Sequence, residues 1–364
     1  MSEALSDAEE NAAPRPARRK RAPRASSRAA SSGPWHLLSL RDLAAAEWNT
    51  LLAMAEALSG PGGRRPLLAG RRFGMLLFNP SLRTRTAFEV GCYDLGAHAV
   101  ALEAGKSTWS FEHRQGVVMD GAAAEHVVEA AGVLGRMLDG LGVRAFAGLA
   151  DAAEDARDPL LAAIAVASPV PVLNLESAMD HPHQGLADAL TLRRTLRGTR
   201  EKVVLSWAPH VKPLPMAVPH AALLAFVREG HDVVLTHPEG YELDPGVMQA
   251  AASLSSAAGG SLAVSSDRRA ALAGARVVYA KSWGARGHYG DPAAAAAGFK
   301  RHRDWMLTPA DLGSAWFMHC LPVRRGVVVA DAVLDGGQSL VLEQAAARLD
   351  VQKATLCRAV GVQP

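Results

Sequence analysis

Cysteine is scarce in this chain of 364 residues. Its three cysteines, Cys92, Cys320 and Cys357, lie far apart and form no Cys-x-x-Cys pair. This excludes a disulfide framework and a cysteine-type structural zinc site, and it is typical of reduced thiols in a cytoplasmic protein. Histidines and carboxylates also lack the spacing of a metal-ligand set, so we expect no metal.

Long hydrophobic runs are missing as well. About half of the residues are hydrophobic (49%), but no run approaches the length of a membrane span. The first residues are acidic and polar, unlike a secretory signal. A Gly-x-x-x-x-Gly-Lys-Ser/Thr motif is absent too, which excludes a nucleoside-triphosphate P-loop. We therefore expect no membrane association, and the length allows two domains of ordinary size.

Charge is unevenly distributed along the chain. The formal net charge is +3, but residues 14–32 are strongly basic, rich in Pro, Ala and Ser, and poor in large apolar side chains. Such a segment cannot bury enough surface to fold, so we predict a disordered basic tail over residues 1–34. It could contact nucleic acid, although a solvated tail is the favoured interpretation. The remainder is slightly acidic, so nucleic acid is not the expected ligand.

From about Trp35 onward, short apolar segments alternate with longer Ala/Leu-rich segments. This pattern predicts an α/β fold: two parallel-sheet domains with helices on both faces, and a C-terminal helix that crosses back to the first domain. We predict domains over 35–182 and 183–340, followed by the C-terminal helix in 341–364. The predicted strands are 73–78, 97–102, 142–147, 170–174, 202–207, 232–236, 276–280 and 315–319. The predicted helices are 84–95, 123–139, 184–196, 217–229 and 340–361.

The most informative motif is Ser-Leu-Arg-Thr-Arg-Thr at 81–86, directly after the first predicted strand. A helix that begins here would present free backbone N–H groups, the positive end of its dipole, hydroxyls and guanidiniums at one place. A tetrahedral dianion suits such a set of donors, because Arg offers a planar fork and Thr a short directional donor. The motif therefore predicts a phosphate site.

Further polar groups fall at strand ends, where open parallel sheets bind ligands. Arg144 lies in a predicted strand and needs an anion or an acceptor, which leaves a ligand and a structural ion pair equally open. His181 and Gln184, around Pro182, could donate to a carbonyl and accept from an amine. At Cys320 we favour backbone acceptors over a nucleophilic thiol, since no base is paired with it in the sequence. Trp109 on a polar loop is expected to cover a ligand or a neighbouring subunit.

Four motifs in this order resemble the aspartate/ornithine carbamoyltransferase family: Ser81 to Thr86, Gly-Val-Arg at 142–144, His-Pro-x-Gln at 181–184 and His-Cys-Leu-Pro at 319–322. The resemblance covers roughly residues 36–361. It implies that carbamoyl phosphate binds the first domain and an amine acceptor the second, that phosphate leaves as the amine attacks, and that no organic cofactor takes part. It also implies a homotrimer with shared active sites.

The same resemblance implies roles for individual residues. Ser81, Leu82, Arg83, Thr84 and Arg348 would hold the phosphate. Arg144, His181 and Thr84 would polarise the carbamoyl oxygen, an oxyanion-type role. Gln184 and the carbonyls of Cys320 and Leu321 would orient the carbamoyl NH₂, and Trp109 would come from a neighbouring subunit.

The acceptor is expected to be an acylated ornithine. Where the free-ornithine type carries an Asp before a Ser-Met-Gly loop, this chain has Lys281, which would repel a free ammonium. This resembles the acylornithine branch, in which Glu176, His210, Lys281 and Arg324 would contact the acceptor. The resemblance favours N-succinyl-L-ornithine in arginine biosynthesis, with acetylornithine or ornithine as the alternative acceptors. The alternative of a different class is a non-catalytic homologue that binds a metabolite, against which the joint presence of Arg83, Arg144, His181, Gln184 and Arg324 argues.

Ala124 is the expected specificity residue. The stretch from Trp109 to Arg144 aligns with both acylornithine enzymes without a gap, and it puts Ala124 where the acetyl enzymes have a glutamate and the succinyl enzymes a proline. The alternative interpretation is that Ala124 is only the first good helix former of an Ala-rich helix. A glutamate there would repel a succinyl carboxylate, whereas a small neutral residue leaves room for it. Two departures from the family pattern remain: His183 replaces Cys or Thr, and Val328 replaces a lysine of the acetyl enzymes.

Overall fold

The computed structural model describes residues 33–364. The prediction for the basic tail lies outside the described residues, apart from its last two positions. Within the described range, no helix is long and apolar enough to cross a membrane.

The first sheet has four parallel strands in the order β2-β1-β5-β6, and a separate two-stranded ribbon pairs β3 with β4. These strands are β1 (Arg72–Leu77), β2 (His98–Glu103), β3 (Phe111–Glu112), β4 (Glu125–His126), β5 (Gly140–Arg144) and β6 (Val172–Glu176).

The second sheet has five parallel strands in the order β11-β10-β7-β8-β9. They are β7 (Lys202–Trp207), β8 (Asp232–Thr236), β9 (Ser261–Ser265), β10 (Val277–Lys281) and β11 (Trp316–Met318). The two sheets and their helices confirm the predicted α/β class.

Helices cover both sheets. They are α1 (Ala45–Ala57), α2 (Leu82–Asp94), α3 (Val127–Met137), α4 (Ala152–Asp155), α5 (Pro159–Ala167), α6 (Pro182–Leu196), α7 (Ala217–Arg228), α8 (Pro245–Ala257), α9 (Arg268–Leu272), α10 (Pro292–Arg301), α11 (Pro309–Leu312), α12 (Asp331–Leu334) and α13 (Val341–Ala359), with 3₁₀ turns at Pro61–Gly63, Arg286–His288 and Arg303–Trp305.

Local sequence explains why helix α8 begins at Pro245. Asp244 caps α8 by accepting from the backbone N–H groups of Gly246 and Val247, and Pro245 occupies the first helical position, where no N–H is needed.

The C-terminal helix α13 packs against α1, α2 and α6, which ties the end of the chain back to the first sheet. Even Lys353 is buried there, and its ammonium donates to the carbonyl of Leu58 at 2.5 Å. The crossing of the C-terminal helix is thus as predicted.

Each predicted strand and helix has a counterpart, but some boundaries were wrong. Arg144 is the last residue of β5 rather than an interior one, so residues 145–147 already form the following loop. The predicted helix 123–139 begins only at Val127, because residues 125–126 pair with Phe111–Glu112 as a ribbon. The edge strand β9 was missed, since its half-exposed Ser-Leu-Ala-Val-Ser lacks the apolar run used as the signal.

Candidate active site

A cavity of about 520 Å³ lies between the carboxyl ends of the two sheets. Most of the residues predicted as site residues line it: Ser81, Leu82, Arg83, Thr84, Arg144, Glu176, His181, Gln184, His210, Lys281, Cys320, Leu321, Arg324 and Arg348. A larger hollow of about 800 Å³ near α3 and α5 contains none of them. Strand ends are where parallel sheets bind ligands, and the charged side chains converge there as expected.

One end of the cavity is the N-terminus of α2. Ser81 caps the helix, because its Oγ accepts from the N–H of Thr84 at 3.1 Å. Leu82 is exposed, whereas Arg83 is half-buried and faces the cavity, and burial lowers the pKa of its guanidinium. The free N–H groups of the first turn and this guanidinium together favour an anion.

Two further arginines meet at Thr84. The Thr84 hydroxyl accepts from Nη2 of Arg348 at 3.0 Å and lies 3.5 Å from Nη1 of Arg144. Arg348 comes from α13, so the last helix contributes a cation to a site built on the first sheet. Burial, together with the neighbouring Arg144, lowers the pKa of Arg348 to about 10, which leaves it charged at neutral pH.

Arg144 forms a buried ion pair across the ends of β5 and β6. Its Nη1 donates to Oε2 of Glu176 at 2.5 Å, and its guanidinium also lies over the ring of Phe146 at 4.5 Å. Nε2 of His181 lies 3.5 Å from the same carboxylate oxygen. Burial, together with Arg348 and Arg144, lowers the pKa of His181 well below its usual value, so the imidazole is neutral at neutral pH.

The turn after β11 presents backbone carbonyls rather than a nucleophile. Nδ1 of His319 accepts from the N–H of Leu321 at 2.9 Å and holds the turn in place. Among the described residues, no backbone N–H donates to the carbonyls of Cys320 or Leu321. Burial raises the pKa of the Cys320 thiol, which disfavours the thiolate that covalent chemistry would need.

The opposite end of the cavity carries Lys281, the last residue of β10, which is only 8% exposed. His210 lies nearby on the loop after β7, where its Nε2 accepts from Nε of Arg324 at 3.1 Å. Its Nδ1 lies 2.8 Å from the carbonyl of Lys212. Burial lowers the pKa of His210, so this histidine is a neutral bridge between the Arg324 guanidinium and the backbone carbonyl of Lys212.

Trp109 and Ala124 lie outside this cavity. Trp109 is 56% exposed on the segment before β3, and its Nε1 donates to Glu125 at 2.8 Å. Ala124 is exposed, and its N–H pairs with the carbonyl of Ser110. Neither residue can therefore contact a ligand in the cavity of its own chain in this conformation.

The two departures from the family pattern are buried in the fold. His183 lies inside α6, with its ring nitrogens 3.1 Å from the Asn174 carbonyl and 3.0 Å from the Thr355 hydroxyl. Val328 packs in the smaller apolar cluster of the second sheet, and its N–H donates to the Arg324 carbonyl. Within residues 33–364, no group of three or more His, Cys, Asp or Glu residues has the geometry to hold a metal ion.

Sequence reasoning missed several residues of the cavity wall, among them Phe146, Lys212, Leu214, Pro215 and Val218. Phe146 and Lys212 lie on the loops that follow β5 and β7, so the rule that strand ends carry the ligand could have found them. Lys212 matters most, because it adds a third basic side chain beside Lys281 and Arg324.

Two parallel sheets that share a cation-rich cavity define an α/β protein whose cavity favours an anionic ligand. Comparison with known proteins identifies its class. The model for the aspartate/ornithine carbamoyltransferase carbamoyl-P binding domain matches residues 35–194, and the model for the Asp/Orn binding domain matches residues 216–359. The chain belongs to the aspartate/ornithine carbamoyltransferase family and is a carbamoyltransferase.

Individual relatives fall in the acylornithine branch. The chain is 42% identical to the N-acetylornithine carbamoyltransferase of Xanthomonas campestris pv. campestris, over 90% of this chain and 98% of the relative. It is 37% identical to the N-succinylornithine carbamoyltransferase of Bacteroides thetaiotaomicron, over 75% and 82%. The crystal structure of acetylornithine transcarbamylase complexed with acetylcitrulline is similar, with a TM-score of 0.87 and 41% identity over 90% of this chain and 99% of that one.

Proposed function

We propose that the protein transfers the carbamoyl group of carbamoyl phosphate to the δ-amine of an N-acyl-L-ornithine, as a step of arginine biosynthesis. The neutral δ-amine forms the new C–N bond and gives up one proton, while the C–O bond to phosphate breaks. Phosphate leaves with the electron pair and can take up that proton. Similar solved structures hold carbamyl phosphate with N-succinyl-L-norvaline, or acetylcitrulline, which supports this pair of substrates.

The α2 end of the cavity would hold the phosphate. Ser81, Leu82, Arg83 and Thr84 offer the first-turn N–H groups, a hydroxyl and a guanidinium, and Arg348 adds a second guanidinium from α13. Phosphate gains negative charge as the C–O bond breaks. Charge-assisted donors that are already in position therefore stabilise the transition state more than the ground state.

The carbamoyl group would lie between Arg144 and Gln184. Arg144, Thr84 and neutral His181 face the place where the carbamoyl oxygen develops charge, and such donors act as an oxyanion hole. Nδ1 of His181 is buried and has no hydrogen-bond partner among the described residues, so the imidazole has unused hydrogen-bonding capacity. Gln184 and the carbonyls of Cys320 and Leu321 would accept from the NH₂.

Lys281 is the observation that carries the choice of acceptor. It is buried, and within the described chain no carboxylate lies within 4.0 Å of its ammonium; the cavity carboxylate, Glu176, pairs with Arg144 instead. A free α-ammonium beside this charge would be repelled, whereas an amide nitrogen carries no charge and an α-carboxylate would be attracted. Glu176, His210 and Arg324 would complete the acceptor site.

Within the acyl class we propose succinylornithine. Lys212, Lys281 and Arg324 give the acceptor end three basic side chains, which suits an acceptor with two carboxylates better than one with a single carboxylate. In similar solved structures, variants of an acetylornithine transcarbamylase with one glutamate replaced by proline or alanine hold N-succinyl-L-norvaline. The family resemblance implies that Ala124 takes the place of the glutamate that the acetyl enzymes carry.

Acetylornithine is the second candidate, because the relatives with 42% identity carry that name. Ala124 and Trp109 can act on the acceptor only from a neighbouring subunit, since both lie outside the cavity of their own chain. We therefore also propose the homotrimer with shared sites that the resemblance implies.

A parallel assay tests the function. Purified protein is given carbamoyl phosphate with N-succinyl-L-ornithine, N-acetyl-L-ornithine or L-ornithine, and phosphate release and the ureido product are measured. We expect turnover in the order succinyl, acetyl, ornithine. Efficient use of acetylornithine without use of succinylornithine would overturn the succinyl proposal, and turnover with ornithine alone would overturn the acyl proposal.

A further inference from the structure

Asp188 is a fully buried carboxylate on α6, one turn after Gln184. One of its oxygens, Oδ1, accepts two hydrogen bonds from side-chain amides. Nε2 of Gln184 donates at 2.7 Å, and Nε2 of Gln344 on α13 donates at 2.6 Å. The carboxylate thus binds the nitrogen end of both amides.

This arrangement sets the direction of both amide oxygens, because a primary amide has a donor end and an acceptor end. Oε1 of Gln184 is turned away from Asp188 and accepts from Nη1 of Arg348 at 2.7 Å, at the cavity wall. Oε1 of Gln344 accepts from the N–H of His319 at 3.0 Å, at the start of the turn that carries Cys320.

We infer that Asp188 is a positioning residue for carbamoyl transfer: it holds Gln184 with its carbonyl oxygen toward the cavity, where that oxygen accepts from the carbamoyl NH₂. The inference rests on the proposed function of Gln184. Asp188 itself lines no part of the cavity, so it acts through Gln184 and, by way of Gln344, through the turn after β11.

A reversed Gln184 amide would be unfavourable in two ways. Its NH₂ would face the guanidinium of Arg348, donor against donor, and it would offer the carbamoyl NH₂ another donor instead of an acceptor. Carbamoyl phosphate would lose one hydrogen bond and meet a repulsive contact with the Gln184 NH₂. Inorganic phosphate has no NH₂, so it would be affected only indirectly, through Arg348.

A purely structural role fits Asp188 poorly. Burial raises the pKa of its carboxyl to about 7, although the two amides and the nearby Tyr279 hydroxyl favour the charged form. Its second oxygen makes no hydrogen bond within 3.5 Å among the described residues. A buried carboxyl with one oxygen left without a partner destabilises a fold, so packing between α6 and α13 alone does not explain why a carboxyl stands here. A carboxylate at this position is explained if its role is to fix the orientation of the Gln184 amide.

Binding measurements test the inference without need of an acceptor. Calorimetry on the full chain compares carbamoyl phosphate with inorganic phosphate for wild type, Asp188→Leu and Asp188→Asn. Asp188→Leu should weaken carbamoyl phosphate about tenfold or more and leave phosphate within about threefold. Asp188→Asn keeps an acceptor oxygen and should stay near wild type. Equal weakening of both ligands, or of neither, would overturn the inference.

A double-mutant cycle gives the second test. If Asp188 acts chiefly through Gln184, adding Asp188→Leu to Gln184→Leu should reduce carbamoyl phosphate affinity much less than it does in wild type. Fully additive losses would contradict this. Should Asp188→Leu fail to fold, Asp188→Ala, which only removes atoms, takes its place.

Thr355→Val is the matched control, because it removes a buried hydrogen bond between the same two helices, to His183, outside the cavity. It should lower the melting temperature and leave the ratio of the two affinities unchanged. Wild-type turnover with an acylornithine tests the proposed function separately, since that result does not depend on Asp188.

Discussion

Nη1 of Arg144 lies 2.5 Å from Oε2 of Glu176, and the two residues are register partners at the ends of β5 and β6. The pair gives a buried guanidinium a counter-ion at the cavity wall. Because Arg144 also reaches Thr84, the ion pair and the phosphate end of the cavity are joined through one side chain. Removing either charge therefore affects more than one contact.

Arg83→Ala and Arg144→Ala should each lower kcat at saturating substrate by two to three orders of magnitude. Losing a charge-assisted donor to a developing anion costs about 3 kcal/mol of transition-state stabilisation. Arg85→Ala is the matched control on the same helix, since Arg85 pairs with Glu89 and Glu103 outside the cavity. Near-normal turnover of Arg83→Ala or Arg144→Ala would show that these arginines do not face the reacting groups.

Lys281→Met should raise KM for the acylornithine about tenfold or more, because a buried cation no longer meets the acceptor's carboxylate. It should also improve the use of free ornithine relative to wild type, because the repulsion of the α-ammonium is removed. Lys202→Met, at the outer end of β7, removes a lysine that donates to the carbonyl of Ala273 and serves as the control. Unchanged acceptor preference in initial-rate assays would contradict the role of Lys281.

Lys212→Met should change the preference between succinylornithine and acetylornithine. If Lys212 meets the second carboxylate, the variant should lose efficiency, as kcat/KM, with succinylornithine and change little with acetylornithine. Lys212→Arg keeps the charge and should keep the preference. A loss of equal size with both acceptors would mean that Lys212 contacts a part that they share.

Ala124→Glu should depress activity with succinylornithine strongly and spare activity with acetylornithine. A like-charge contact in a partly dry pocket can cost several kcal/mol. Ala122→Glu places the same charge two residues away on the same exposed segment and is the control. If both variants behave alike, the effect is one of general charge, and Ala124 is not a specificity residue.

Acid should destabilise the protein partly through His220. This histidine is fully buried, its Nδ1 lies 2.9 Å from the Met179 carbonyl, and burial lowers its pKa to about 4 from 6.5. Between these values the unfolded chain binds a proton that the folded chain does not, so the free energy of unfolding falls as pH falls. One such group contributes a slope of about 1.4 kcal/mol per pH unit.

Urea titrations of wild type and His220→Gln between pH 4 and 6.5 measure this slope. The buried carboxyls of Asp180 and Asp188, with pKa values raised to about 7, act in the opposite direction over the same range, so the informative quantity is the difference between the two proteins. The variant should show a smaller loss of stability toward acid. His98→Gln, which replaces an exposed histidine at the start of β2, is the control variant.

Local chemistry made much of the fold predictable. The apolar run at 73–78 and the Ser-Leu-Arg-Thr that follows predict a strand and a capped helix from contacts within a few residues, and both are present. The errors lie where distant partners decide the structure. Residues 125–126 look helical locally, but they pair with Phe111–Glu112, and the predicted helix therefore begins later.

The sequence by itself determined the α/β class, the strand ends at which polar side chains collect, and the motifs that mark the family, because each depends on periodicity or on neighbours along the chain. Only the tertiary structure decided that Glu176 pairs with Arg144, that Lys212 joins Lys281 at the cavity, and that Asp188 binds Gln344 from 156 residues away. A buried polar group needs a partner in space, and packing of the sheets and α13, not spacing along the chain, selects that partner.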